Sequence, residues 1–318
     1  MADTTVPSPK QSPLLLLPPE LRLRIYSYLL LPSQTPSSTH STSIANLLPS
    51  YHTYYSTDTN PDPYTLTICT IDPYAANKHG AGSKTWRKRS TFLVRTGPLT
   101  PLHPTSYRIL LSPYTSHLRT TIPSLLPLCH QIHTEASHLL YSTYTFSFHA
   151  NIEALVPFLS DLTPGARSAL RKIQITKMAL PYTREIQRAE WEGMCMYLAA
   201  KESGLALRRL DLSVIAGRPG EKGWDDIRPI SKTEFEVLRR VQREWCGGGG
   251  AGGGVDLEWV EQLMAIRGLE DVRVKAVVEH CPQPRSEIMA FWVAFSKSVE
   301  GGFGEWVRGV MISLKLRS

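Results

Sequence analysis

Three six-residue phrases of one form recur in the second half of the chain and restrict its fold most strongly. They are Leu170-Arg-Lys-Ile-Gln-Ile175, Leu207-Arg-Arg-Leu-Asp-Leu212 and Leu269-Glu-Asp-Val-Arg-Val274. In each phrase a leucine and two charged residues precede alternating apolar and polar positions, which predicts a half-buried strand. Because segments long enough for helices separate the phrases, right-handed crossovers and a mostly parallel sheet are expected.

The predicted sheet has four strands side by side, at residues 144–148, 172–176, 209–214 and 272–277. Its inward positions are expected to include Phe146, Ile173, Ile175, Leu210, Leu212, Val272 and Val274. The phrases begin at intervals of 37 and 62 residues, which are too unequal for a regular solenoid. The sequence therefore favours an α/β fold with an irregular, leucine-rich-repeat-like strand–helix layer.

The first part of the stretch 124–148 is predicted to be one amphipathic helix that leads directly into the first of these strands. Its apolar residues recur at steps of three and four. They are Leu125, Leu128, Cys129, Ile132, Ala136, Leu139 and Leu140. Pro127 fits such a helix only in its first turn. Tyr144, Phe146 and Phe148 then alternate with polar residues, as in a half-buried strand.

Other local signals divide the rest of residues 124–318, the strand–helix body. Ser231 and Glu234 form a capping box, and Gly204 is placed to end a helix spanning about 183–203. The glycine run 247–254 is expected to be a flexible linker between two helices. A last helix is predicted at 284–299, and the segment 310–316 is a candidate final strand.

The first 123 residues have a different character. Residues 1–13 are expected to be a disordered tail, and residues 14–31 an amphipathic helix with Leu21, Ile25 and Leu29 on one stripe. Residues 32–123 are an insertion that begins with a disordered Ser/Thr/Pro-rich loop. Within it, segments 64–71 and 90–95 alternate like strands and are predicted to pair as a hairpin.

Charge and cysteine content narrow the class of protein. The formal net charge is +7, and residues 1–123 hold 11 of the 35 basic but 5 of the 28 acidic residues. Five cysteines occur with long spacings and no CxxC, which argues against a disulfide framework and suits a reducing compartment. Without a signal-peptide core or an apolar stretch of membrane-spanning length, a cytoplasmic or nuclear location is expected.

Catalytic and metal-binding motifs are absent from the sequence. It contains no GxSxG, HExxH, Walker or GxGxxG pattern, so we expect a non-enzymatic protein without cofactor or metal. Cys129 and His133 are four positions apart on the predicted helix and could share a face for zinc. Since a structural zinc site needs about four ligands, a small core cysteine and a hydrogen-bonded histidine explain them better.

A basic cluster surrounds Trp86 and consists of Lys84, Arg87, Lys88 and Arg89. The favoured interpretation is a solvated loop. A nuclear import patch and a phosphate contact to nucleic acid are two further interpretations.

Two stretches together resemble a large family of F-box-like proteins of filamentous fungi. One is Leu17-Pro-Pro-Glu-Leu-Arg-Leu-Arg-Ile-Tyr-Ser-Tyr-Leu-Leu30, which looks like the first helix of an F-box. The other comprises Cys129-His-Gln-Ile132, Glu135-Ala136, Leu139-Leu-Tyr141 and Thr145-Phe146. Departures from the family pattern are His130 in place of the usual arginine, Thr143-Tyr144 before the strand, and the long insertion 32–123.

The resemblance implies an F-box-like helical part packed on the strand–helix layer, and a role as adaptor or protein-interaction protein. The implied partners are a Skp-type adaptor of a cullin-RING ubiquitin ligase and a protein client. Contacts to the adaptor would come from Leu17, Pro18, Leu21, Ile25 and Leu29.

Four alternatives to this interpretation stay open at this point. The same N-terminal residues could instead close the protein's own core against Leu125, Ile132 and Leu139. The basic N-terminal third could bind nucleic acid, or the chain could be a purely structural domain. An enzyme with an unrecognised site is the fourth, and a buried pocket lined by converging polar groups would favour it.

Overall fold

The computed structural model of the chain describes residues 12–33, 62–70, 87–94, 103–112, 114–148, 152–179, 186–219, 226–246, 257–281 and 287–312. The strands are β1 (Thr65–Thr70), β2 (Arg87–Val94), β3 (His103–Leu110), β4 (Thr145–Ser147), β5 (Lys172–Met178), β6 (Arg209–Pro219) and β7 (Asp271–Cys281). The helices are α1 (Pro13–Leu16), α2 (Pro19–Leu30), α3 (Leu118–Leu125), α4 (His130–Thr143), α5 (Leu155–Ser160), α6 (Pro164–Ala169), α7 (Ile186–Ala199), α8 (Lys232–Cys246), α9 (Glu258–Leu263), α10 (Glu287–Ser298) and α11 (Gly304–Met311). Short helical turns occupy Ile152–Ala154, Lys201–Ser203 and Val299–Phe303.

The seven strands form one sheet in the order β2-β3-β1-β4-β5-β6-β7. Strands β1, β4, β5, β6 and β7 run parallel to one another, whereas β3 is antiparallel to both β1 and β2. The prediction of one mostly parallel sheet with β4 to β7 side by side is therefore confirmed. Among the described residues, no helix is both long and apolar enough to cross a membrane.

One face of the sheet is a continuous apolar layer. In register across five strands lie Leu66, Phe146, Ile173, Leu210 and Val272. All five are buried, and so are the other predicted inward residues, Ile175, Leu212 and Val274. Helices cover this face, because Phe158 of α5 packs on Phe146, and Gly304 of α11 lies against Val274.

The opposite face changes from buried hydroxyls to exposed charges across the sheet. Thr65 and Thr145 are buried, whereas Arg209 and Asp271, in the same row, are partly exposed. Arg209 donates two hydrogen bonds of 2.8 Å to Asp211, and its Nε lies 3.8 Å from Asp271. These two pairs, one within β6 and one between β6 and β7, neutralise charges of the face that β5 to β7 present to solvent.

The predicted hairpin between the two insertion strands is wrong. Both strands exist, as β1 and β2, but the sheet order places β3 between them. Prolines interrupt the segment 97–123, but strand β3 nevertheless forms within it. Pro104 is tolerated near the start of β3, where a proline removes little of the ladder. Through β1 and β4, the insertion and the body share one sheet.

The single helix predicted at 124–143 is also wrong, because the chain breaks it at residues 126–129. Helix α3 ends at Leu125, and Cys129 is extended before α4 begins. Pro127 lacks an N–H and cannot donate to the carbonyl of Pro123, so helical geometry, which continues through Leu126, is lost by Cys129, whose φ is −162°. As a result, Leu128 is exposed rather than part of a buried stripe.

Several predicted local signals are confirmed. Ser231 and Glu234 exchange hydrogen bonds as a capping box, and Gly204 adopts a left-handed φ of 65° after the turn that follows α7. Residues 247–254, the predicted linker, and most of the tail 1–13 lie outside the described residues, as does most of the loop 33–63. At the C-terminus, 310–311 belong to α11, Ile312 bridges Leu269, and 313–316 are outside the described residues.

Candidate functional site

Helix α2 covers residues 19–30 of the predicted helix 14–31, and the short helix α1 precedes it. Pro19 occupies its first turn, where a missing N–H has no intrahelical acceptor to lose. Glu20 lies in the same turn, near the positive end of the helix dipole. The helix stops at Leu30, and Leu31, which precedes Pro32, is extended, as residues before proline usually are.

The inward face of α2 is not the face that the apolar spacing suggested. Arg22, Tyr26 and Leu30 are the buried residues of this helix. Leu21 is 48% exposed, Leu29 is 39% exposed, and Tyr28 beside them is 76% exposed. The interpretation that Leu21 and Leu29 close the core is therefore wrong. The residues of α2 that face the core are Arg22, Tyr26 and Leu30.

A buried ion pair fixes this orientation. Arg22 is 6% exposed, and its Nε and Nη2 donate hydrogen bonds of 3.0 and 2.7 Å to the two carboxylate oxygens of Glu135 on α4. Gln131 donates a further hydrogen bond of 3.1 Å to Glu135. The hydrogen bond from Arg22 lowers the pKa of Glu135 to about 2. The pair is thus charged at neutral pH and bidentate, the geometry that positions a guanidinium best.

Two further hydrogen bonds hold the ends of α2. At the N-terminal end, Nη1 of Arg22 donates to the carbonyl of Leu17 at 2.5 Å. At the C-terminal end, the buried hydroxyl of Tyr144 donates to the carbonyl of Leu30 at 2.7 Å. Because both ends and the middle of the inward face are fixed, α2 presents its outward face in a defined orientation.

We call the outward residues Leu21, Ile25, Tyr28 and Leu29 the α2 stripe. Leu21, Ile25 and Leu29 are spaced by four, so they lie along one side of the helix, with Tyr28 beside Leu29. The other two predicted contact residues flank this stripe: Pro18 is exposed, and Leu17 is half-buried. The sequence predicted each of these positions as a contact residue except Tyr28. Tyr28 is the more exposed of the two tyrosines of α2.

Three residues of the predicted basic cluster lie in a strand and not in the expected loop. Arg87, Lys88 and Arg89 begin strand β2, which lies at one edge of the sheet and pairs with β3. Lys84 lies outside the described residues. The solvated-loop interpretation is therefore wrong for the three residues that the structure describes.

Cys129 and His133 are not arranged as a metal site. Cys129 lies before α4 in extended geometry, and Nδ1 of His133 is 3.2 Å from the carbonyl oxygen of Leu126. Within the part of the chain that the structure describes, no three His, Cys, Asp or Glu residues form a group that could hold a metal ion.

No family model, curated protein or solved structure matches this chain. The chemistry of the α2 stripe follows from its own composition. Three aliphatic side chains and a tyrosine can exclude water from a partner surface and add one hydrogen-bonding hydroxyl. An arrangement of this kind binds by burying apolar area, on the order of 25 cal/mol for each Å² removed from water.

Proposed function

We propose that the chain is a non-enzymatic F-box-like interaction protein whose α2 stripe binds a Skp-type adaptor of a cullin-RING ubiquitin ligase. The observation that carries the proposal is that Leu21 and Leu29 are exposed on the outward side of α2, with the half-buried Ile25 between them. These are the residues that the F-box resemblance assigns to the adaptor contact.

The geometry of α2 suits a helix-in-groove contact. Anchors at positions i, i+4 and i+8 of a helix present one narrow apolar edge that an apolar groove can accept. Exposed apolar side chains in a contiguous row are expected at such interfaces, whereas isolated ones are ordinary surface features. The salt bridge of Arg22 with Glu135 prepares the helix before binding, so little ordering entropy is lost on association.

The strand–helix body would hold the client on this proposal. Its β5 to β7 face carries exposed charges, among them Arg273, Asp271 and Lys275. Charges on such a face favour recognition and fast association more than raw affinity.

The test is a direct binding measurement between the full chain and a purified Skp-type adaptor. We expect saturable binding to the unmodified chain and at least about tenfold weaker binding for Leu21→Asp and Leu29→Asp, since each buries a charge in an apolar contact. Both positions are exposed in the free chain, so the melting temperature should stay within a few degrees of the parent value.

Met196→Asp is the matched control, because Met196 is an exposed apolar residue on α7, outside the α2 stripe. This variant should bind the adaptor as the parent does. Absence of adaptor binding by the folded parent chain would refute the proposal, and so would equal losses in Met196→Asp and Leu21→Asp.

A further inference from the structure

A second apolar surface lies far along the chain from the α2 stripe, between α8, α10 and the segment that precedes α8. It is an open groove of about 670 Å³. Its apolar lining includes Ile227, Ile230, Val237, Leu238 and Phe291. We call it the α8–α10 groove. Its volume lies within the range of small-molecule sites, which are mostly apolar with a few placed polar groups.

The walls of the groove are fixed by specific hydrogen bonds. Lys297 of α10 donates to the carbonyl of Ile227 at 2.9 Å, and the N–H of Ile230 donates to the hydroxyl of Ser298 at 2.5 Å. The capping box of Ser231 and Glu234 sets where α8 begins. The groove is therefore formed in the free chain and does not depend on an occupant.

The exposure of the lining is unusual for a solvated helix surface. Val237 is 55% exposed on a helix whose other exposed positions are mainly charged or polar. Opposite it, Ala290 and Ala294 of α10 contribute only methyl groups, so the space between the helices stays open. An open groove with a mostly apolar lining suits a flexible alkyl chain.

The rim of the groove carries a cation. The side chain of Arg228 is 84% exposed and donates one hydrogen bond of 2.6 Å to Oε1 of Glu234. The other oxygen of Glu234 already accepts from the N–H and the hydroxyl of Ser231. A guanidinium has five N–H donors, so Arg228 retains donors for an incoming anion, which it can bind in a bidentate manner.

We propose that the α8–α10 groove binds a free long-chain carboxylate. The alkyl chain lies along Val237, Leu238 and Phe291, and the carboxylate receives hydrogen bonds from Arg228. The occupant is a monomeric fatty acid rather than a membrane lipid, because Arg228 is the one cation among the described residues that line the groove. The proposal does not depend on the α2 stripe, which belongs to a different helix.

Isothermal titration calorimetry on the full chain tests the proposal, with dodecanoate as the probe below its micelle concentration and dodecanol as the uncharged comparison. We expect saturable binding of one dodecanoate per chain and weaker binding of dodecanol. Arg228→Gln should weaken dodecanoate about tenfold and leave dodecanol unchanged, because it removes a charge-assisted contact only.

Val237→Ser should weaken both ligands, because it removes apolar lining. Val241→Ser is the matched control: Val241 lies one turn along the same helix, is also exposed, and does not line the groove. It should change neither affinity. Unsaturable heat with the parent chain overturns the proposal. Equal losses from Val241→Ser and Val237→Ser overturn it too, as does binding that requires phospholipid vesicles.

Discussion

Arg22 and Glu135 form a bidentate pair that joins α2 to α4 across 113 positions of the chain. The pair decides which side of α2 faces the core. It leaves the α2 stripe facing outward, the orientation on which the proposed function depends.

Stability should depend on this pair in a defined acidic window. The pKa of Glu135 is lowered from 4.5 to about 2, so its stabilising charge is fully present above about pH 4.5 and is lost as the pH falls toward 2. Glu135→Gln should lower the free energy of unfolding at pH 7 and remove part of the decline between pH 4.5 and 2. Urea unfolding at several pH values measures this. Glu270→Gln, in an exposed pair with Arg208, is the control and should leave the pH profile as in the parent.

We expect the hydroxyl of Tyr144 to contribute more to the free energy of unfolding than the hydroxyl of an exposed tyrosine. Tyr144→Phe leaves the carbonyl of Leu30 without this buried donor, so we expect a loss of about 1–3 kcal/mol in the free energy of unfolding. Tyr28→Phe removes a hydroxyl from an exposed side chain and should change stability by less than about 0.5 kcal/mol. Chemical denaturation of both variants compares them, and equal effects would contradict the role given to Tyr144.

The apolar row across the sheet predicts a large effect at its centre. Leu210 is fully buried between Ile173 and Val272, so Leu210→Ala should lower the free energy of unfolding by about 2–5 kcal/mol. Lys275→Ala, at an exposed position of β7, should cost less than about 0.5 kcal/mol. Should the two variants unfold at the same denaturant concentration, the assignment of the buried face is wrong.

Glu190 predicts a pH effect of the opposite sign from that of Glu135. Burial, and secondly the nearby Glu153, raise the pKa of Glu190 from 4.5 to about 7. The folded chain binds this proton more tightly than the unfolded chain does. The contribution of Glu190 to the free energy of unfolding therefore falls as the pH rises from about 4.5 through 7. Glu190→Gln should therefore be more stable than the parent at pH 8 and equal to it at pH 4. Glu192→Gln, exposed on the same helix, should match the parent at both values in thermal melts.

Gly302 permits the close approach of the turn after α10 to the segment before α8. A methyl group at this position would collide with the carbonyl oxygen of Ile230 and with the backbone of Ser231. Gly302→Ala should therefore lower the free energy of unfolding by about 1–3 kcal/mol. Gly165→Ala, where a methyl group meets no atom within 4 Å, should be neutral or stabilising by up to about 1 kcal/mol. Thermal and urea unfolding of the two variants separate these effects.

The parallel sheet was predictable because its strands carry local signals. Ile173, Leu210 and Val272 each lie in a phrase with a two-residue period, and the helices between the phrases impose crossovers. Strand β3 carried no comparable signal. Pro104 lies within it, and Tyr107 is the only aromatic residue to mark its buried side. Its position depends on β1 and β2, which lie on either side of it in the sheet.

The orientation of α2 was not predictable from spacing alone. Leu21, Ile25 and Leu29 recur every four residues, but so do Arg22, Tyr26 and Leu30. Hydropathy favours burying the first set. The second set is buried because Glu135 compensates the charge of Arg22, and an unpaired arginine would be too costly to desolvate there. A partner that distant in sequence leaves no local pattern to detect.

The position of β1 imposes an order of events on a chain that leaves the ribosome from its N-terminus. Thr65 of β1 pairs with Thr145 of β4. Strand β1 can therefore pair with β4 only after β2, β3, α3 and α4 have been synthesised. During that interval one edge of the β1–β3 ladder is open, and an open edge is a template for pairing with another chain. Nascent chains that stall before Thr145 therefore expose this edge of β1.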